Sequence, residues 1–365
     1  MRIGIDARLS GEPRSGIGRY TRALIEALVR QAPDQEWMLY LDRPTAGLPD
    51  RVGTRCLPWP HRLVWTFWVL PRALRREPLD LFHGVTGFEL PPGGGRRLVT
   101  TVHDLIAMRL PGLVPWRHRW AVRCLLGAAL RRASRVIAVS EATRAELLAR
   151  YRLAPDAVRV VYEAASPAFH PSSAAARAAV RARHGLRGPY VLFVGLLEPK
   201  KNLTAVLEAV AHLRQEGAWG ETMLVVAGAS GWGPDPRPRA VALGLEAVVR
   251  FLGPVADADL PALYAEARAF VFPSLWEGFG LPVLEAMAAG TPVIAARRGA
   301  LPEITAGAAL LVEPAARPVA EALATLLADR GLQLRLRAAG LARAATFSWD
   351  RAATETLAVY REALE

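Results

Sequence analysis

Residues 269–295 read AFVFPSLWEGFGLPVLEAMAAGTPVIA, and the fold follows from the order of residue types within them. The apolar run Ala269–Val271 reads as a buried strand. Gly278 and Gly280 let the backbone turn sharply after it, and Pro282 suits a first helical turn, where a missing N–H costs little. The helix then runs through Met287, stops near Gly290, and hands over to a second strand at Pro292–Ala295. Strand, glycine turn, helix and strand in that order predict a parallel unit with the helix N-terminus at the carboxyl edge of the sheet. The first amides of the helix, around Gly280, Leu281 and Val283, form a natural anion site.

The same alternation extends in both directions, so the expected class is α/β with parallel sheets and crossover helices. Strands are predicted at Arg2–Asp6, Trp37–Leu41, Leu79–His83, Leu98–Val102, Arg135–Val139 and Val158–Val161, then at Tyr190–Val194, Thr222–Ala227, Val249–Leu252, Ala269–Val271 and Pro292–Ala295. A chain of 365 residues is longer than one core usually fills. Two doubly wound domains are therefore expected, residues 1–170 and 171–348, joined within the Pro- and Ser-bearing stretch Ala165–Arg187. Near the end, FSWDRAATETLAVYREAL offers Ser348 as an N-cap and Asp350 in the first turn, and this helix, residues 349–365, is expected to complete the first domain.

Composition narrows the function. The chain is 52% hydrophobic, which suits a folded protein, and Cys56 and Cys124 are too few for a disulfide framework, pointing to a reducing compartment. The opening MRIGIDARLS reads as a strand and loop, with no signal-peptide pattern, and no apolar run approaches the roughly 18–20 residues needed to span a bilayer. A cytoplasmic location is expected. The formal charge of +12 fits nucleic acid, an anionic membrane surface or a solvated exterior. No zinc-finger, homeodomain or RNA-recognition pattern accompanies it, so nucleic acid is not an expected partner. Trp59 to Arg76 and Trp116 to Arg135 mix tryptophans with arginines, which suits either a membrane edge with a lipid-linked acceptor or ordinary core tryptophans beneath an arginine-rich surface.

Of the 46 basic side chains 44 are arginine, and the two lysines stand together in LEPKKN, residues 197–202. An ammonium is a compact point charge on a flexible stem, suited to a phosphate. The loop follows the strand Tyr190–Val194, and Asn202 is placed to cap the next helix. Both this loop and the one before Leu281 leave one sheet edge, so Lys201 can reach a phosphate held at the helix N-terminus. Glu277 and Glu285 flank that site. Carboxylates touching a phosphate would repel it, so they more plausibly accept from hydroxyls on either side, as a nucleotide sugar would offer.

With these residues in view, the sequence resembles the retaining glycosyltransferases of family four, whose GT-B architecture has two facing Rossmann-like domains and an interdomain cleft. The resemblance runs through GIDAR, SGIGRY, VHD (102–104), VIAVSEATRAEL, VGLLEPKKNL, VRFLGPV, FPSLWEGFGLPVLEAMAAGTPVI and FSWD. It implies that Lys201, with Lys200 nearby, binds the donor diphosphate with the backbone of Gly280 to Val283. It further implies that Glu285 holds the ribose, that Glu277 with Gly278 and Phe279 faces the transferred sugar, and that Val255 lies beside the base. Gly16 and Gly18 would close over the phosphate, and His103 would meet the sugar near the reacting carbon, with Asp104 orienting it or starting the next turn. Many members carry an arginine where this chain has Leu196. The clamp then depends on Lys200 and Lys201, or borrows Arg8 or Arg14, although Asp6 and Arg8 also read as a buried pair fixing the first loop.

The expected activity is metal-independent, retaining transfer of a hexose, mannose among the candidates, from a GDP-, UDP- or ADP-linked donor to a glycan, lipid-linked or small-molecule acceptor. No cofactor is expected. Asp257-Ala-Asp259 is the only Asp-x-Asp, and its position reads as a helix cap rather than a metal pair. Two rival readings stay open: a sugar-nucleotide epimerase or phosphorylase on the same architecture, and a catalytically silent nucleotide-sugar-binding subunit.

Overall fold

The computed structural model describes residues 1–12, 15–92 and 97–365. The chain divides into two compact units, Met1–Glu163 with Ser348–Glu365, and Ala164–Phe347. The division falls after Glu163 rather than after residue 170. Phe169 explains the difference, because its ring packs edge-on against Tyr264 of the second unit at 5.7 Å and carries the preceding residues with it.

The first unit holds β1 (Arg2–Asp6), β2 (Glu36–Leu41), β3 (Gly53–Cys56), β4 (Leu81–Gly84), β5 (Arg97–Val102), β6 (Arg135–Ala138) and β7 (Val158–Val160). All pair in parallel in the order β3-β2-β1-β4-β5-β6-β7. In the second unit β8 (Tyr190–Val194), β9 (Met223–Ala227), β10 (Val249–Gly253), β11 (Ala269–Phe272), β12 (Val293–Ala296) and β13 (Leu310–Val312) pair in parallel in the order β10-β9-β8-β11-β12-β13. Strands such as YVLFV are apolar without alternation because helices cover both faces of a parallel sheet. Chain order reverses at β1 and at β8, so the loops after β1 and β4, and those after β8 and β11, part at the carboxyl edge and open a crevice.

Two strands were not expected from the sequence. β3 is exposed along its whole length and begins at glycine, so it has no apolar signature. β13 is three residues long and half-buried at the sheet edge. Both form because a neighbouring strand presents unpaired backbone groups, information that lies outside their own residues.

The helix Trp349–Leu364 belongs to the first unit. Ser348 Oγ accepts from Arg351 N at 3.1 Å, and the helix is pinned to the end of helix Gly16–Gln31 by Gln31 Nε2 donating to Asp350 O at 2.6 Å and by the Arg30–Asp350 ion pair. Deeper in, Tyr360 OH lies 2.7 Å from His83 Nδ1, His83 Nε2 lies 2.8 Å from Thr101 Oγ1, and Thr101 meets Tyr20 OH at 3.0 Å. Burial, with His103 nearby, pushes His83 down to about 3, so this chain of polar groups runs through a neutral imidazole. Among the described residues no helix is long and apolar enough to cross a membrane.

Candidate active site

The lysine loop and the glutamate loop leave adjacent strands. β8 and β11 pair with Val191 opposite Ala269, and the loops beyond them are fastened by Leu275 N donating to Lys200 O at 2.8 Å and Asn202 Nδ2 donating to Pro273 O at 3.1 Å. Asn202 does stand at the start of helix Leu203–Gln215, but it does not cap it. Its backbone is left-handed (φ 57°), and its amide is spent on Pro273 O and Pro314 O. The residue expected to serve its own helix serves the neighbouring loops instead.

Lys201 Nζ donates to Glu277 Oε1 at 2.6 Å and lies 4.9 Å from the centroid of the Phe272 ring. Ser274 Oγ donates to the same carboxylate oxygen at 2.6 Å. Glu277 is held from behind as well, since Ala300 N donates to its carbonyl at 3.0 Å and a Cβ on Gly299 (φ 56°) would fall 2.2 Å from that oxygen. Glu285, buried on helix Leu281–Ala288, accepts from Tyr264 OH at 3.2 Å. Two ionisable side chains eight positions apart are thus each met by a hydroxyl and brought to one edge with the lysines.

No side chain caps helix Leu281–Ala288. Gly280 takes the N-cap position with φ 104°, and Pro282 has no N–H. Of the three amides expected to face an anion, that of Val283 is spent on the Gly280 carbonyl at 2.9 Å. Phe279 is buried, with its ring edge-on to Phe347 at 5.9 Å. Lys200 Nζ stands 3.4 Å from Glu198 Oε1. Val255 is half-buried just past β10, whose end is tied to β9 by Gly228 N donating to Gly253 O at 2.8 Å.

Asp259 departs from its expected role. It sits before helix Leu260–Glu266 but makes no side-chain cap, because its carboxylate is taken by Arg183 and, at 3.0 Å, by His184. Among the described residues no group of three or more His, Cys, Asp or Glu could hold one metal ion.

In the first unit Gly16 opens helix Gly16–Gln31, with Ser15 Oγ accepting from Gly18 N at 2.9 Å. The two glycines are therefore a first helical turn, not a free loop. His103 follows β5, and both its ring nitrogens are engaged: Nε2 with Val85 O at 3.0 Å and Nδ1 with Glu163 Oε1 at 2.9 Å. A carbonyl can only accept, so Nε2 is the donor in the contact with Val85. Asp104 starts the next turn, its Oδ1 accepting from Ile106 N at 3.1 Å. Arg8 is not available as a second phosphate cation. Its guanidinium joins Asp6 at 2.7 Å and Glu89 at 2.9 Å above the Trp65 ring. Arg14 lies outside the described residues.

Sequence reasoning missed Ser274, Tyr264 and Glu163. Ser274 stands three residues before Glu277, and that spacing is a usable signal; Tyr264, on helix Leu260–Glu266, and Glu163, in the loop after β7, are brought in by the fold and carry none.

Residues 177–343 match the model of glycosyl transferases group 1, and residues 14–169 that of glycosyltransferase family 4. The chain is 33% identical over 371 residues to O-antigen chain mannosyltransferase B of Escherichia coli, covering 96% of each chain. This chain belongs to the family 4, group 1 glycosyltransferases. The glycosyltransferase is also 36% identical over 312 residues to D-inositol 3-phosphate glycosyltransferase of Salinispora arenicola, over 78% of this chain and 69% of that one. In fold it is similar to sucrose-phosphate synthase from Thermosynechococcus elongatus, with TM-score 0.79 and 23% identity over 99% of this chain and 98% of that one. Its two parallel-sheet Rossmann-like units are those of the GT-B fold, and its relatives make it a hexosyltransferase.

Proposed function

We propose that this glycosyltransferase moves a hexose from a nucleotide-diphosphate sugar to a hydroxyl of a glycan or lipid-linked acceptor, with retention at the anomeric carbon and without a metal. The observation that carries the reading is the meeting of Lys201, Glu277 and the uncapped start of helix Leu281–Ala288 at one sheet edge. Departure of a nucleoside diphosphate needs negative charge stabilised on the leaving oxygen, and an ammonium with helix amides supplies that. Glu277 and Glu285, each already accepting from a hydroxyl, have the acceptor chemistry to hold sugar and ribose hydroxyls. Glu277 Oε1 is held by Lys201 and Ser274, which suits a sugar-binding role better than that of a covalent nucleophile. Front-face attack, with the departing phosphate receiving the acceptor's proton, follows from that assignment.

The mannosyltransferase relative puts GDP-mannose first among donors to try, with UDP-glucose and ADP-glucose beside it. A thermal-shift screen should show one of them raising the melting temperature. The same donor should hydrolyse slowly in the presence of EDTA and release the α-sugar from an α-linked donor. Release of the β-sugar counts against retention, and loss of turnover on chelation counts against metal independence. Conversion of the donor to an epimer without hydrolysis would favour the epimerase reading.

The acceptor side supports a peripheral contact with an anionic membrane. Residues 59–76 and 109–135 carry four and seven arginines with no Asp or Glu. Trp65 is core, but Trp59, Trp68, Trp116 and Trp120 are exposed, and Arg72 and Arg117 lie over the Trp68 and Trp116 rings at 5.5 and 5.4 Å. Such a surface suits acidic headgroups with aromatic rings at the interface. Flotation with phosphatidylglycerol vesicles at low salt should carry the protein upward, and substituting Trp116 and Trp120 by Ala should leave it at the bottom. Equal flotation of the variant removes this surface from the account.

A further inference from the structure

The motif LEPKKN contains a carboxylate that the reading above leaves without a role. Glu198 has a side chain only 3% exposed, with Oε1 3.4 Å from Lys200 Nζ and with Oε2 meeting no hydrogen-bond donor among the described residues. The loop after β9 roofs it, since Gly231 N donates to Leu197 O at 3.2 Å and a Cβ on Gly231 would come 3.2 Å from Glu198 Cβ. A buried acceptor without a donor is costly, by about 1–3 kcal/mol. The charged groups that face it are Lys200, Lys201 and Glu277.

These four side chains form two pairs, Lys200 with Glu198 and Lys201 with Glu277, and their charges cancel. A diphosphate diester entering such a site adds negative charge and competes for both ammonium groups. Glu277 keeps a donor in that event, because the Ser274 hydroxyl stays at 2.6 Å. Glu198 keeps none. Burial already raises its carboxyl above the ordinary range, against the opposing pull of Lys200 and Lys201.

We propose that Glu198 is a further donor-site residue: it serves as the counter-ion of Lys200, and it takes up one proton when the donor diphosphate draws the lysines to itself. The inference rests on the nucleotide-sugar reading. Its consequence is that the chain, lacking an arginine at Leu196, gains the equivalent of a second positive charge by neutralising a carboxylate. The sign follows from linkage: a carboxyl raised further by the bound anion holds its proton in the complex and loses it as pH rises, so donor affinity falls with increasing pH.

The test is calorimetric titration of the full chain with GDP-mannose, UDP-glucose and ADP-glucose, repeated at one pH in PIPES, HEPES and Tris. The diphosphate of a nucleotide sugar is a diester without a proton to exchange near neutral pH, so a dependence of the observed heat on buffer ionisation enthalpy reports protons taken up by the protein. The wild type should take up protons and lose affinity by up to about tenfold per pH unit. Glu198→Gln should bind with little uptake and a flat pH profile. Binding of a donor with no uptake, or equal uptake by Glu198→Gln, overturns the proposal. An infrared difference spectrum of the wild type offers a check that needs no variant: a protonated-carboxyl band should grow on adding donor, and its absence counts against Glu198. If none of the three sugars binds, the nucleotide-sugar reading fails and takes this role with it.

Discussion

Each unit places a cation on an aromatic ring and against a carboxylate at the carboxyl edge of its switch-point strand, yet the two cations are built for different ends. In the first unit Arg8, 4% exposed, sits 4.1 Å from the Trp65 ring centroid and shares its guanidinium between Asp6 and Glu89. Burial pulls the guanidinium down, and the two carboxylates outweigh it and hold it above its ordinary value. In the second unit Lys201 sits 4.9 Å from the Phe272 ring and donates to Glu277. The planar fork of arginine satisfies two fixed carboxylates at once, whereas an ammonium on a flexible stem can leave one partner and meet another. A chain that uses arginine at 44 of 46 basic positions has its two lysines in this loop, where the proposed diphosphate role needs a charge that can move.

The comparison breaks or holds on two substitutions. Arg8→Met takes the cation from the buried Asp6 and leaves Glu89 paired with Arg62, at 2.9 Å, so stability should fall by about 3–5 kcal/mol. Urea denaturation reads this directly. Lys201→Met leaves Glu277 the Ser274 hydroxyl, so it should cost less stability, while kcat/KM with the donor selected by the thermal-shift screen falls roughly a hundredfold or more. Should Lys201→Met prove the more destabilising and transfer proceed at a normal rate, Lys201 is a structural cation like Arg8 and the diphosphate assignment is lost.

The contrast also marks what the sequence could disclose. Lys201 and Glu277 were legible because each lies in a loop after an apolar strand, and Glu285 because it lies on the helix that follows the second of these loops; parallel strands send such loops to one edge. The Asp6–Arg8 pair was legible for the same local reason, two positions apart at the end of β1. Glu89, which completes that pair, lies 81 positions from Arg8 and has no signature of its own. Glu163 reaches His103 from the far side of two strands, and Tyr264 reaches Glu285 from another helix. Asn202 and Asp259 were misjudged in one way: their positions before helices are right, but neighbours supplied by the fold outbid the local amides for their side chains.

The smallest effects concern the two glycines of the first helical turn, and they separate packing from ligand contact within three residues. A Cβ on Gly18 would fall 2.1 Å from Glu12 O and 2.7 Å from Leu9 O, both backbone atoms that cannot swing away. Gly18→Ala should therefore cost about 1–3 kcal/mol of stability through overpacking, and any loss of activity says nothing about a ligand. Gly16 is exposed, and among the described residues a Cβ there meets nothing within 4 Å. Alanine is the better helix former, so Gly16→Ala should leave stability unchanged or raise it by up to about 1 kcal/mol. If a phosphate approaches the backbone at Gly16, the same methyl group stands in its path, and donor KM should rise severalfold in a protein at least as stable as the wild type. Unchanged donor kinetics in Gly16→Ala would reduce the glycine pair to a helix start and leave the second unit as the whole of the diphosphate site.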